Sequence, residues 1–118
     1  MSRRRLVQSS THKSRQRMDI RTSVTDRLAR ISLGGRFDFS SHRAFRDATE
    51  RMMAGEAIDA LEIDLAAVSY LDSSALGMLL MLRDKARAAQ CAVRLANCSA
   101  PVRQVIEVAN FQKLFAIT

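Results

Sequence analysis

The sequence predicts a single α/β domain on a mixed β-sheet of about five strands, with helices packed on it, in the order ββαβαβαβ. Three observations carry this expectation. Segments that alternate apolar and polar at period two are separated by segments with helical apolar spacing, the pattern of strands joined by crossovers to parallel neighbours. Two alternating segments meet at Asp26 with no room for a helix between them, so the first pair is a hairpin and makes the sheet mixed. The 118 residues are 47% hydrophobic with one Pro and four Gly, enough apolar surface for one core and one domain.

Taken in order, "MDIRTSVT" (18–25) alternates weakly and "RLARISL" (27–33) more clearly, with Asp26 in the turn; Gly34-Gly35 then breaks the pattern. A helix is predicted over about 41–54. Ser40 or Ser41 caps it through a hydroxyl that accepts an orphan N–H, Phe45, Ala48 and Met52 recur at helical spacing, and Gly55 stops it. "ALEIDLAAV" is a strand, with Leu61, Ile63 and Leu65 in strict alternation. A second helix fits from about Ser73 to Ala89, with Leu76, Leu79 and Leu80 inward and Arg83 and Arg87 turning to solvent. Gly77 costs that helix up to about 1 kcal/mol against Ala, which implies that something packs close to it. "CAVRLAN" (91–97) reads as another strand, with Val93 and Leu95 on one face. Ser99 caps a third helix with Pro101 in its first turn and Val102, Val105, Ile106 and Ala109 as its apolar stripe; Asn110 ends it, and "KLFAIT" closes the chain as a short strand.

The net charge is +7, yet residues 1–17 hold six basic residues and no acid, which leaves +1 on the remainder. The high pI therefore belongs to a leader, and residues 18–118 form the domain. The leader reads as disordered. It could instead touch nucleic acid or an anionic membrane surface, or translation could begin at Met18. Its only apolar pair, Leu6-Val7, is too short for a secretory signal. The longest apolar stretch, Ala75 to Leu82, falls far short of the roughly 20 residues of a membrane helix. Cys91 and Cys98 lack CxxC spacing and a histidine cluster, so they read as two reduced thiols in a cytoplasmic protein.

The stretch "YLDSSALGMLL" (70–80) poses the functional question. A serine nucleophile needs a base within reach; only His42 is available inside the domain, and Gly-x-Ser-x-Gly is absent. There is no Walker loop or GxGxxG, and the carboxylates are scattered singly. No catalytic residue, metal or cofactor is predicted, so the chain is read as a non-enzyme. On its own, Ser73 is most simply the N-cap of the second helix.

A resemblance changes that weighting. "LEIDLAAVSYLDSSALGMLLMLRDKARA" resembles the core of the STAS domain of bacterial anti-sigma factor antagonists: a strand ending in "IDL", a short loop, then Asp-Ser-Ser-(Gly/Ala)-Leu-Gly opening a helix. "LGGRFDFSSHRAFRDAT" resembles the family's Gly-x-(Leu/Phe)-Asp segment, and "VRLANCSAPVRQVIEVANFQKLF" its strand, Ser-Pro-type turn and last helix; the likeness covers about 18–118. It implies a STAS fold and a partner switch. The unphosphorylated protein binds an anti-sigma factor, typically a GHKL-type serine kinase, and so frees the sigma factor. The kinase phosphorylates the serine after the Asp, here Ser73, and a PPM-type phosphatase reverses this. Ser74 is the weaker acceptor. Asp38, Asp72, Ser73 and Ser74 fall on the expected partner-binding surface, and no direct nucleic-acid contact is implied. The runner-up is a STAS subunit of a membrane (lipid) transport ATPase complex, which needs no phospho-switch. Two departures stand out. Ala75 occupies a position where many members have Gly. The chain also stops at Thr118, where many continue into another helix, and this is expected to leave apolar sheet surface open to a partner.

Overall fold

The computed structural model describes residues 6–10, 18–55 and 57–118, the first of these segments as backbone only. Its strands are β1 (Leu6–Ser10), β2 (Asp19–Thr25), β3 (Leu28–Phe37), β4 (Ala60–Leu71), β5 (Ala92–Ala96) and β6 (Ala116–Ile117). Its helices are α1 (His42–Ala54), α2 (Ser73–Ala88) and α3 (Ala100–Val108), with 3-10 turns at Phe39–Ser41 and Phe111–Lys113. The strands lie side by side in chain order; β2 runs antiparallel to both of its neighbours, β1 and β3, and β3 to β6 are parallel. From β2 onward the order is the predicted ββαβαβαβ. β1 is an addition: it pairs with β2 from inside the stretch read as a disordered leader.

The hairpin turns on Asp26 and Arg27, both at positive φ (53° and 67°), as a two-residue turn between right-twisted strands requires. Arg27 holds this uncommon conformation while its guanidinium donates two hydrogen bonds to Asp59 (2.9 and 2.8 Å), at the start of β4. Gly34-Gly35 does not end β3, contrary to the sequence reading. The strand continues to Phe37 through two register shifts against β4. Gly35 sits at φ 89°, and a Cβ on Gly34 would stand 3.3 Å from that of Ala67 in β4. β4 is also longer than expected: Ser69 to Leu71 were read as a loop, but they are strand, paired through Arg36↔Tyr70 and Phe37↔Leu71.

Paired residues share a sheet face. The row Thr22, Ile31, Ile63, Leu95 lies on the core face, and one apolar cluster joins that face to all three helices through Phe45, Leu79, Val102 and Ile106. Each fully buried aliphatic side chain there is worth roughly 1.5–3 kcal/mol. The opposite row is Ser23, Arg30, Glu62, Arg94. Glu62 is only 4% exposed, and it is buried beneath the two arginines that neutralise it: Arg94 donates from Nε (3.0 Å) and Nη2 (2.8 Å), and Arg30 from Nη2. The second sheet face is thus charged rather than apolar, which corrects the expectation of exposed apolar sheet surface. The most exposed apolar side chains, Phe39, Met81 and Val108, lie on or beside the helices, while Tyr70 at the end of β4 is exposed to a lesser degree.

Candidate functional site

Parallel pairing of β3 with β4 builds the site. Because Phe37 lies opposite Leu71, the residues that follow them, Asp38 and Asp72, leave the sheet side by side at its carboxyl edge, where parallel sheets place ligands. The amide of Asp72 donates to the carbonyl of Phe37 (3.4 Å), tying the two exits together.

Each aspartate then starts a helical element. Asp38 Oδ1 accepts from the amide (3.0 Å) and hydroxyl (2.6 Å) of Ser40, its own amide donates to Ser41 Oγ (3.4 Å), and Arg36 Nε approaches Oδ2 at 3.4 Å. The Ser40 hydroxyl holds the Asp38 carboxyl below the usual carboxylate range; partial burial opposes this, and the Ser40 amide and Arg36 add to it. Neither Ser40 nor Ser41 caps α1 through its hydroxyl as expected; Ser41 instead donates to the carbonyl of Arg36 (3.1 Å).

Asp72, not Ser73, is the N-cap of α2. Its carboxylate accepts from Ala75 N (3.0 Å) and its carbonyl from Leu76 N (3.2 Å). Ser73 is the exposed first residue of the helix, Ser74 is half-buried, and their amides have no partner among the described residues. The helix start therefore offers two free N–H groups and the positive end of its dipole beside an accessible hydroxyl. The four residues singled out from sequence, Asp38, Asp72, Ser73 and Ser74, thus converge on one edge. Ala75 is fully buried, so its methyl packs in the core.

One other sequence expectation fails here, and one holds only in part. Gly77 faces open space, with nothing within 4 Å of where a Cβ would stand. Ser99 is the N-cap residue of α3 as expected, its carbonyl accepting from Arg103 N (2.8 Å), but its hydroxyl does not cap the helix; it donates to the carbonyl of Val68 (3.2 Å), pinning α3 to β4. Sequence reasoning missed Arg36 and Tyr70. The guanidinium lies 4.2 Å from the ring centroid, and the two form a cation–π wall on the strand ends leading to the aspartates. A strand reading carried past Gly35 would have put Arg36 on β3, but its place opposite Tyr70 depends on the two register shifts between β3 and β4.

His42 stacks on Phe39 (ring centroids 5.6 Å apart) and makes no hydrogen bond to Ser73. Among the described residues no group of three or more His, Cys, Asp and Glu is placed to hold a metal, and no helix is long and apolar enough to cross a membrane. Burial pushes both cysteine thiols up.

The family model described as "Mlab, STAS domain" matches residues 20–116. The chain belongs to the STAS-domain family. A STAS-domain containing protein of Pseudomonas aeruginosa (strain UCBPP-PA14) is 48% identical over 88 residues, covering 75% of this chain and 85% of that one. An anti-sigma factor antagonist from Mycobacterium paratuberculosis superposes with a TM-score of 0.77 at 23% identity, over 88% of this chain and 87% of the other. The unphosphorylated form of the anti-sigma factor antagonist SpoIIAA gives 0.72 at 20% identity, over 84% and 87%. The STAS fold seen here is that of the anti-sigma factor antagonists.

Proposed function

We propose that the protein is a non-enzymatic anti-sigma factor antagonist in a bacterial partner-switching system, with Ser73 as its phosphorylation site. It would act in the cytoplasm and bind an anti-sigma factor of the serine-kinase type when unphosphorylated, and a PPM-type phosphatase would restore it. One observation carries this reading: Ser73 stands exposed at the first position of α2, directly after a capping aspartate, with two unpartnered helix amides beside it. A phosphate there adds about −1.5 to −2 charges, and a helix N-terminus accommodates such an anion without refolding. With Asp38 and Asp72 alongside, the edge becomes strongly anionic, and a partner shaped for the neutral serine meets an uncompensated charge. Thr49, another hydroxyl in the domain, is 4% exposed and donates to Arg46 O, which removes it as a competing acceptor.

The sequence resemblance leaves a second reading beside it, a STAS subunit of a membrane (lipid) transport ATPase complex. One experiment separates the two. The partner is first captured with unphosphorylated protein, and its affinity for Ser73→Ala and Ser73→Glu is then measured by calorimetry, with circular dichroism confirming both folds. Ser73→Ala is expected to bind like the wild type, and Ser73→Glu at least tenfold more weakly. Equal affinities would sink the switch and favour the transport subunit.

A further inference from the structure

A groove between α1 and α2 is left unused by the serine site. Phe45, Met78 and Leu82 form its apolar floor. Met81, 60% exposed, stands on one wall, and His42, stacked under the 68% exposed Phe39, stands at the opening end. The Lys85–Glu50 ion pair (2.9 Å) lies beside its other end. Single exposed apolar side chains are ordinary, but Met81 lines an apolar cleft and Phe39 stacks on its lining residue His42, so exposed apolar surface gathers about the cleft as it does at interaction sites. Methionine suits such a surface because its unbranched, polarisable chain adapts to what it meets.

The charges say what fits. Both formally charged residues lining the groove, Arg46 and Lys85, are basic; Glu50 compensates Lys85, which leaves Arg46 as the lining cation for an acidic partner to meet. A second copy of this chain would bring the same basic lining rather than the acid that Arg46 lacks, so an acidic partner matches the groove better than the groove matches itself. We propose that the groove is a second docking site, for an amphipathic helix of a partner protein whose apolar anchors seat between α1 and α2 and whose flanking residues are acidic. The proposal stands independently of the reading above in its groove and its occupant; only control by Ser73 rests on that reading. It also explains how one serine could control a wider interface. Met78 and Met81 stand five and eight residues beyond Ser73, about 7.5 and 12 Å along the helix. The nearer distance falls within the roughly 8 Å over which charge acts at physiological salt, so a phosphate on Ser73 would repel an acidic flank lying at the Met78 end of the groove.

The test is a titration of the isotope-labelled full chain, followed by NMR, with two synthetic helical peptides. Both carry Leu and Phe at i, i+4 and i+7; one is flanked by Glu and the other by Lys. The acidic peptide is expected to bind saturably and to shift the amides of Phe45, Thr49, Met78 and Met81. The lysine peptide should bind at least tenfold more weakly. Met81→Glu, on an exposed side chain that leaves the fold intact by circular dichroism, should lower the acidic peptide's affinity at least tenfold, and Arg46→Glu at least threefold. Absence of binding by the acidic peptide, equal binding of both, or shifts that map to another face would overturn the proposal. So would concentration-dependent dimerisation of the protein alone that Met81→Glu abolishes, since the occupant would then be a second copy. Phosphopeptide mapping at Ser73 does not involve the groove, so a protein that accepts phosphate there but ignores the acidic peptide in its unphosphorylated form defeats this proposal alone.

Discussion

Gly77 is the fifth residue of α2, past the capped first turn, and it is exposed to solvent. Its backbone is not in the left-handed region, and a Cβ built on it meets no atom within 4 Å. Nothing inside the fold accounts for a glycine there. Gly77→Ala therefore gains the intrinsic helix preference of alanine, about 0.8–1 kcal/mol, with no steric cost to set against it. For a domain of about 100 residues, 1 kcal/mol at the midpoint shifts the melting temperature by about 4 °C or somewhat more. Scanning calorimetry together with urea unfolding would measure both, and the urea m-value should not change because the surface exposed on unfolding is the same. An unchanged or lowered melting temperature would refute the reasoning, since it would mean that the alanine methyl meets something the folded chain does not show. If the variant is stabilised but binds its partner less well, the glycine serves close approach of the partner's backbone to α2.

Three further outcomes follow from the geometry. Asp72→Ala removes the α2 cap and should cost about 1 kcal/mol, whereas Ser73→Ala, at the first helical position, should change urea stability by only a few tenths. Asp38 has a folded-state pKa below its unfolded value of about 3.9. Its contribution is therefore full above that value and is lost as the pH falls toward the folded pKa. Stability measured against pH should accordingly drop more steeply below about pH 4 in the wild type than in Asp38→Asn. Finally, either Arg30 or Arg94 alone can neutralise buried Glu62. The double change Arg30→Met with Arg94→Met should thus be more destabilising than the sum of the singles, a coupling that a double-mutant cycle in urea measures and that strict additivity would disprove.

The five strands and three helices from residue 18 onward were legible because each buries one face, and that face writes its period into the sequence: Leu61, Ile63, Leu65 at two, Phe45, Ala48, Met52 at three and four. What stayed hidden depended on residues far away in the chain. β3 runs through Gly34-Gly35 because Ala67, more than thirty positions later, packs against the first glycine, and Ser69 to Leu71 are strand because Arg36 and Phe37 are there to pair with them. The cap of α2 passed from Ser73 to Asp72 for the same reason: either side chain can cap a helix, and where β4 ends decides which of them stands at the boundary. The members of the candidate site were readable as a motif. That Asp38 and Asp72 exit side by side was not, because parallel register is a property of two strands and appears in neither one alone. β1 gave no signal, since five residues in a basic stretch carry too little pattern.

The anchoring of Asp72 has a consequence for timing. Its amide is bonded to Phe37, its carboxylate to Ala75 and its carbonyl to Leu76, so the serine that follows sits on a finished helix end with no rearrangement waiting to happen. A switch built on such a post would have no relaxation step of its own. Its message would change when a phosphate ester forms and change back when it is hydrolysed, and between those events the chain would hold its state as a covalent memory. The speed of the response would then be set by the enzymes that write and erase the mark and by how fast a bound partner lets go. Mutations deep in the core would alter how much protein is present without altering how quickly it answers.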